Sequence, residues 1–328
     1  MMTIPDDPSE VQQLINHAHA DFSGESSGAV STVYPALAEV DPGLFGIAVA
    51  GTGGQVSEVG DSRLLFAIMS CAKPFLFALV CQAHGLDHVR GRIGVNATGL
   101  PFNSLAAVER DASSRTNPMV NAGALMSTGL VPGASPGIRW AFLLAGLSGF
   151  AGRPLEVDAG TYASASASNH RNRALALLLT DRGALDADPE EVTDLYTRLC
   201  CLEVSAADLA IMGATLAAGG VNPVTGIRIV DAEVARATIA VMAVSGLYET
   251  SGDWLLDVGL PGKSGIGGGI VTVSPGKGGL GTYAPPLDAA GNSVKGQLVA
   301  RQLAGALGLD IFAAAPDATV RAVDPPDA

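Results

Sequence analysis

The stretch FAIMSCAKPFLFALV (66–80) carries a serine and a lysine three residues apart, Ser70 and Lys73. A serine hydroxyl is a weak nucleophile until a base takes its proton, and a lysine serves as that base once burial or a second cation lowers its pKa. On a helix this spacing puts both side chains on one face. The first helical turn also leaves backbone N–H groups free to meet a developing oxyanion. Pro74 fits that turn, where no N–H is needed, and Phe75, Leu76 and Phe77 supply an apolar surround. The same residues would equally suit a serine N-cap followed by a surface lysine, the commoner fate of such a pair, so the chemical reading needs a partner motif.

VGLPGKSGIGGGI (258–270) offers one. As a phosphate loop it fails, because Asp257 stands where a glycine is required and a strand rather than a helix follows. GKGGLG (276–281) has the spacing of a dinucleotide-binding loop but falls in an expected hairpin turn. A Lys-Ser-Gly run at a strand edge is the other reading. Together with an earlier SxxK it forms the signature set of serine acyl-transfer enzymes of the penicillin-binding type. Lys263 then faces Lys73 across the site and adds positive potential.

The elements that must hold these residues can be read coarsely. Residues 8–20 form an amphipathic opening helix. LFGIAVAGTGGQVSEVG (44–60) reads as two strands about a glycine-rich turn, and RLLFAIM (63–69) as a third strand running to Ser70. From about 71 to 245 the spacing is mainly helical, as in RNRALALLL (171–179), EEVTDLYTRLC (190–200) and SAADLAIMGATLAA (205–218). Ser205 and Asp208 have the offset of a capping box. Strands return at GIVTVS (269–274) and LGTYAP (280–285), followed by a closing helix begun by Asn292 or Ser293. The expected architecture is an α/β (α+β) one: an antiparallel sheet built from both chain ends with a helical subdomain inserted between. Its parts are an N-terminal helical segment (1–25), a sheet unit (26–70 plus 246–312), a helical unit (71–245) and a fraying Pro/Asp-rich tail (313–328).

Bulk properties exclude several classes. The net charge of −13, with 19 basic residues and no basic run, argues against nucleic acid, whose phosphates need clustered positive charge. The most apolar stretch, WAFLLAGLSGFAG (140–152), falls short of the roughly 20 residues a membrane span needs. The N-terminus is polar and acidic, with no signal peptide in view. Cys71, Cys81, Cys200 and Cys201 have no metal spacing, so no metal and no cofactor are expected. A cytoplasmic protein with reduced thiols fits.

No S-D-N or Y-x-N element of a β-lactamase or transpeptidase is present. The ordered stretches YPALAEVDPGLFGIAV (34–49), GLPFNS (99–104), NPMVNAGAL (117–125), NHRNRALA (169–176), DLYTRLCCLEV (194–204), GLYETSGDW (246–254), VGLPGKSGIGGGI (258–270) and PPLDAAGNSVKG (285–296) resemble instead the bacterial and mitochondrial glutaminase family, over about 28–300. The resemblance implies a serine β-lactamase-like fold, a small-molecule amide as substrate, and a homo-oligomer, either a homodimer or a homotetramer. It implies Ser70 as nucleophile and Lys73 as its base, with Tyr196 and Tyr248 as active-site tyrosines that shuttle protons. Asn121 and Asn172 would hold the α-carboxylate and amide ends of the substrate. The N–H of Ile266 would pair with that of Ser70 as the oxyanion hole, and Lys263 would set the local electrostatics.

Three positions depart from the family pattern: Val33 stands where it has a tyrosine (Tyr34 follows one place late), Met69 where it has a glutamine, and Ala165 where it has an acid that pairs with the α-ammonium. Losing a charge-assisted contact to a buried ammonium costs about 2–4 kcal/mol. Glu203 lies too far along the chain to be nominated as a substitute. Three expectations follow: a glutaminase with weakened glutamine binding, or with a replacement carboxylate nearby; an amidohydrolase for a related amide lacking a free α-ammonium; or a binding protein without activity. Labelling by a serine-reactive probe that Ser70→Ala abolishes separates the first two from the third.

Overall fold

The computed structural model describes residues 8–313. The seven strands are β1 (Gly46–Gly51), β2 (Val56–Gly60), β3 (Phe66–Ala67), β4 (Glu203–Val204), β5 (Gly262–Ser264), β6 (Gly269–Ser274) and β7 (Gly278–Tyr283). Five of them make one antiparallel sheet in the order β2-β1-β7-β6-β5. The sheet therefore joins the two ends of the chain: β1 pairs directly with β7, Val49 opposite Leu280. Helices fill the interval between, as the sequence indicates, from Lys73–His84 to Ala232–Ser245.

Side chains alternate across the sheet, and each face has its own cover. Ile47, Val49, Ile270 and Leu280 pack with Val11 and Ile15 of helix Pro8–Phe22 and with Val299 and Leu303 of helix Val294–Ala306. Ala48, Ala50, Val271 and Val273 face the other way, into the larger core shared with helix Ala206–Ala217. This second face is made of small residues because the helix lies almost on the backbone of β7. A Cβ added at Gly281 would sit 2.0 Å from the carbonyl oxygen of Ala206. Gly279 and Gly281 of β7 and Gly213 of the helix are placed at that close approach.

Local signals behave as their chemistry demands. Ser205 and Asp208 form a reciprocal capping box, and Asp208 also accepts two bonds from Arg153, at 2.9 and 2.7 Å. Ser293, rather than Asn292, caps the closing helix by accepting from the N–H of Gly296.

Two expectations need correction. The strand at 63–69 shrinks to Phe66–Ala67, because residues 61–65 turn outward and leave Leu64 and Leu65 partly exposed. This short strand leaves the main sheet and pairs with β4, a strand without a sequence signal. Its pairing partner lies just after helix Pro189–Cys200, so the segment leading to Ser70 is tied to the end of that helix; Ile68 N–H donates to Leu202 O at 2.8 Å. The expected tail beyond 313 lies outside the described residues.

Candidate active site

Ser70 does not cap a helix. It lies in a single 3-10 turn, Met69–Ala72, which runs directly into helix Lys73–His84 with Pro74 in the first turn, and no side chain caps that helix. The N-cap alternative for the Ser70–Lys73 pair is thereby removed. Both residues are buried, Lys73 completely. Three non-glycine residues among those described have left-handed backbone, and two of them frame this turn: Met69 (φ 47°), immediately before the serine, and Tyr248 (φ 58°). Such conformations are costly and persist where surrounding structure over-determines them.

Lys73 sits among apolar side chains at the floor of the site. Its Nζ donates to Asn121 Oδ1 at 2.7 Å and to Met119 O at 3.3 Å. Asn121 in turn donates from Nδ2 to Asn172 Oδ1 at 2.8 Å, which joins the base to both asparagines in one buried chain. Burial lowers the Lys73 pKa to about 7, within reach of the neutral amine that a general base must be.

Lys263 comes from β5, which is an edge strand of the sheet, so Lys263 and Ser264 lie within a strand rather than before one, and Gly265 follows its end. Its Nζ donates to Gly246 O (2.8 Å) and Ser264 O (2.6 Å) and lies 4.0 Å from the centre of the Tyr248 ring. Burial, with Lys73 nearby, lowers the Lys263 pKa well below the ordinary lysine range.

The phenol of Tyr248 donates to Ser264 O at 3.1 Å and shares a hydrogen bond with the Ser70 hydroxyl. Burial raises its pKa despite that bond. Tyr196 lies on helix Pro189–Cys200, also buried, also pushed above the ordinary tyrosine range by desolvation, and bonded to Cys200 one turn later. Cys200 is held as a neutral thiol, its pKa pushed up to about 11 by burial.

The turn after β5 closes on the serine. A Cβ at Gly267 would lie 2.9 Å from Ala67 O and 3.4 Å from Met69 Cγ, so this backbone reaches the nucleophile's own segment only because glycine stands there. Ile266, one residue earlier, lines the same cavity as Ser70.

That cavity is open to solvent and offers about 70 Å³ to a ligand. Ser70, Asn121, Asn172, Tyr196 and Ile266 line it together. Lys73, Lys263 and Tyr248 stand behind it, joined to it by the bonds above. Ala165 is different: it is completely buried in the core on helix Ala159–Ser168 and is not among the lining residues. Val33 and Met69 do line the cavity, as does Tyr34, whose phenol donates to Asn169 Oδ1 at 3.3 Å. Cys200, Phe102 and Arg171 also line the cavity, without having been singled out by their sequence spacing. For Cys200 the signal was present, four residues after Tyr196 on a helix and hence on its face. A larger cleft lined by Arg90, Arg110 and Arg115 contains neither the serine nor its base. Among the described residues no cluster of His, Cys, Asp or Glu could hold a metal, and no helix is long and apolar enough to cross a membrane.

A Ser-x-x-Lys pair at a turn-to-helix junction and a Lys-Ser-Gly run at the edge of an antiparallel sheet with a helical insert go with the serine β-lactamase-like class, to which the similar solved structures belong. The chain belongs to the glutaminase family, whose model matches residues 28–312. Among similar proteins, glutaminase 2 of Yersinia pestis is 57% identical over 94% of this chain and 91% of its own length. A glutaminase of Brucella canis is 46% identical over 92% of this chain and 95% of its own. A solved structure described as a probable glutaminase superposes with a TM-score of 0.92 at 40% identity, covering 93% of this chain and 99% of that one. A Bacillus glutaminase superposes at 0.83 with 29% identity, over 93% and 99%.

Proposed function

We propose that this glutaminase hydrolyses the side-chain amide of L-glutamine to L-glutamate and ammonia through an acyl-enzyme on Ser70. The observation that carries the mechanism is the buried set around the serine: a lysine with its pKa lowered to about 7, placed in the next turn of the chain, and a phenol hydrogen-bonded to the serine itself.

The neutral amine of Lys73 takes the Ser70 proton as Oγ attacks the amide carbon. The oxyanion that forms is met by the N–H groups of Ser70 and Ile266. Collapse breaks the C–N bond, and the departing nitrogen leaves as ammonia with a proton delivered through Tyr248 and Tyr196. A water then attacks the ester and gives a proton to Lys73, which passes it to Ser70 Oγ as the ester C–O bond breaks and the free carboxylate leaves. Lys263 orients the Tyr248 phenol through the ring contact and fixes the β5 edge. Asn121 and Asn172 hold the substrate's carboxylate and amide ends. The site lies at the seam of a sheet unit (26–70 plus 246–312) and a helical unit (71–245). The same reading makes the protein a cytoplasmic homo-oligomer.

The test is ammonia release from L-glutamine across a wide concentration range, beside Ser70→Ala. Turnover in the unaltered enzyme, reduced roughly 10⁶-fold in the variant, is expected. Absence of release from the unaltered enzyme, or equal release from the variant, overturns the reading.

A further inference from the structure

Both acceptors of the Lys73 amine lie on one short turn. Met119 O and Asn121 Oδ1 take its bonds at 3.3 and 2.7 Å, and both residues follow Asn117 within four places. Asn117 is completely buried and is not among the described residues that line the cavity of Ser70. Its side chain bonds to backbone at both ends. Oδ1 accepts from the N–H of Met119 at 3.0 Å, the bond of an Asx-turn, and Nδ2 donates to Asn96 O at 2.9 Å. The turn packs directly onto helix Asn121–Gly129: a Cβ added at Gly123 would lie 1.9 Å from Asn117 O. The N–H of Asn121 in turn donates to Phe102 O at 2.8 Å, and the Phe102 ring lies 4.6 Å from that of Tyr248. Residues 96–102 are thus held at one end by Asn117 and at the other by Asn121.

We infer that Asn117 is a positioning residue for the base: by folding the turn 117–121 it fixes Met119 O and Asn121 Oδ1 against Lys73 Nζ and so holds the amine at the floor of the site. This rests on the reading of Lys73 as the base and names what keeps it in place. Asn117 acts only through Lys73. The titratable groups that act on Lys73 are Cys71 of the adjoining turn, Cys200 of helix Pro189–Cys200 and Lys263 of β5, and none of the bonds of Asn117 reaches them. An oxygen acceptor stabilises an ammonium more than a neutral amine, because the bond to a charged donor is the stronger one. Slackening the turn weakens both acceptors. The ammonium form is then disfavoured, and the rise of kcat/KM with pH moves to lower pH, while the displaced amine serves the serine less well.

The experiment records pH profiles of kcat/KM for ammonia release from L-glutamine in the unaltered protein, Asn117→Ala, Asn117→Ser and Asn121→Asp. Asn117→Ala removes both bonds. Asn117→Ser keeps a hydroxyl able to accept from the N–H two residues on, and carries the comparison if Asn117→Ala does not fold. Asn117→Ala is expected to lower kcat by roughly 10- to 100-fold with KM little changed, and to move the midpoint of the rise down by about 0.5 to 1 pH unit. Asn117→Ser should fall between it and the unaltered protein in both respects. A merely structural asparagine would lower the thermal midpoint and leave the pH midpoint in place. A pH midpoint unmoved or raised in the Asn117 variants, while Asn121→Asp moves its own upward, overturns the inference and leaves Lys73 as the base. A midpoint unmoved in every variant overturns the reading of Lys73 and the inference together.

Discussion

The Nζ of Lys73 lies 2.7 Å from Oδ1 of Asn121, in a position from which water is fully excluded. This contact, with that from Asn121 to Asn172, ties Lys73 to the two asparagines that line the cavity. Burial lowers the lysine to about 7, so the neutral amine is the minor form below that pH and the major form above it. The kcat/KM of the free enzyme is therefore expected to rise as pH passes upward through about 7. Asn121→Asp keeps an acceptor in place but adds a negative charge, which favours the protonated amine. The rise should then move to roughly pH 8–10. A pH–rate profile unchanged by this variant would show that Lys73 is not the titrating base.

Tyr248 donates to Ser264 O and shares a hydrogen bond with Ser70, while its ring lies over Lys263. Tyr248→Phe removes the hydroxyl and keeps the ring. The expected result is a kcat lower by about 10²–10⁴-fold with little change in KM or thermal midpoint. A KM rise with kcat intact would place the phenol in binding rather than in proton transfer.

Gly267→Ala tests the approach of the oxyanion turn. The added Cβ would meet the backbone oxygen of Ala67 at 2.9 Å, so the turn must retreat from the segment that carries Ser70. Mispositioned oxyanion donors cost about 10²–10³-fold in kcat. The effect should appear in single-turnover acylation while circular dichroism remains that of the unaltered protein.

Gly281→Ala is expected to act on stability instead. Its Cβ would lie 2.0 Å from Ala206 O, backbone against backbone, between β7 and the helix that covers it. Neither element can yield without opening the larger core, and overpacking of that kind costs about 1–3 kcal/mol or more. Chemical denaturation should report a lowered midpoint with an unchanged m-value. A midpoint within error of the unaltered protein would contradict the close helix–sheet contact.

The residues that carry chemistry announced themselves in the sequence because their demands are local. Ser70 and Lys73 share a turn, Ser205 and Asp208 close a capping box within one, and Lys263 sits in a strand whose glycines are written beside it. The two-ended sheet was legible for the same reason, since alternating apolar runs appear at both ends of the chain with helical spacing between. What sequence periodicity missed was set at long range. The strand before Ser70 is two residues long because its partner, β4, lies far along the chain and is equally short. Cys200, Phe102 and Arg171 reach the cavity only once three separate segments converge on it.

The sequence by itself determined the Ser-x-x-Lys pair, the Lys-Ser-Gly run and the family, because each depends on residue type at fixed spacing. Tertiary structure alone decided how those groups are tuned. Complete burial lowers the pKa of Lys73 and of Lys263, and desolvation is a property of everything packed around a group rather than of its neighbours in the chain. It also decided the fate of Ala165, which the fold places in the core rather than in the cavity lining. The charge a substrate meets is a sum over side chains from distant segments, and only their convergence shows that Arg171 stands without an acid beside it among the described lining residues.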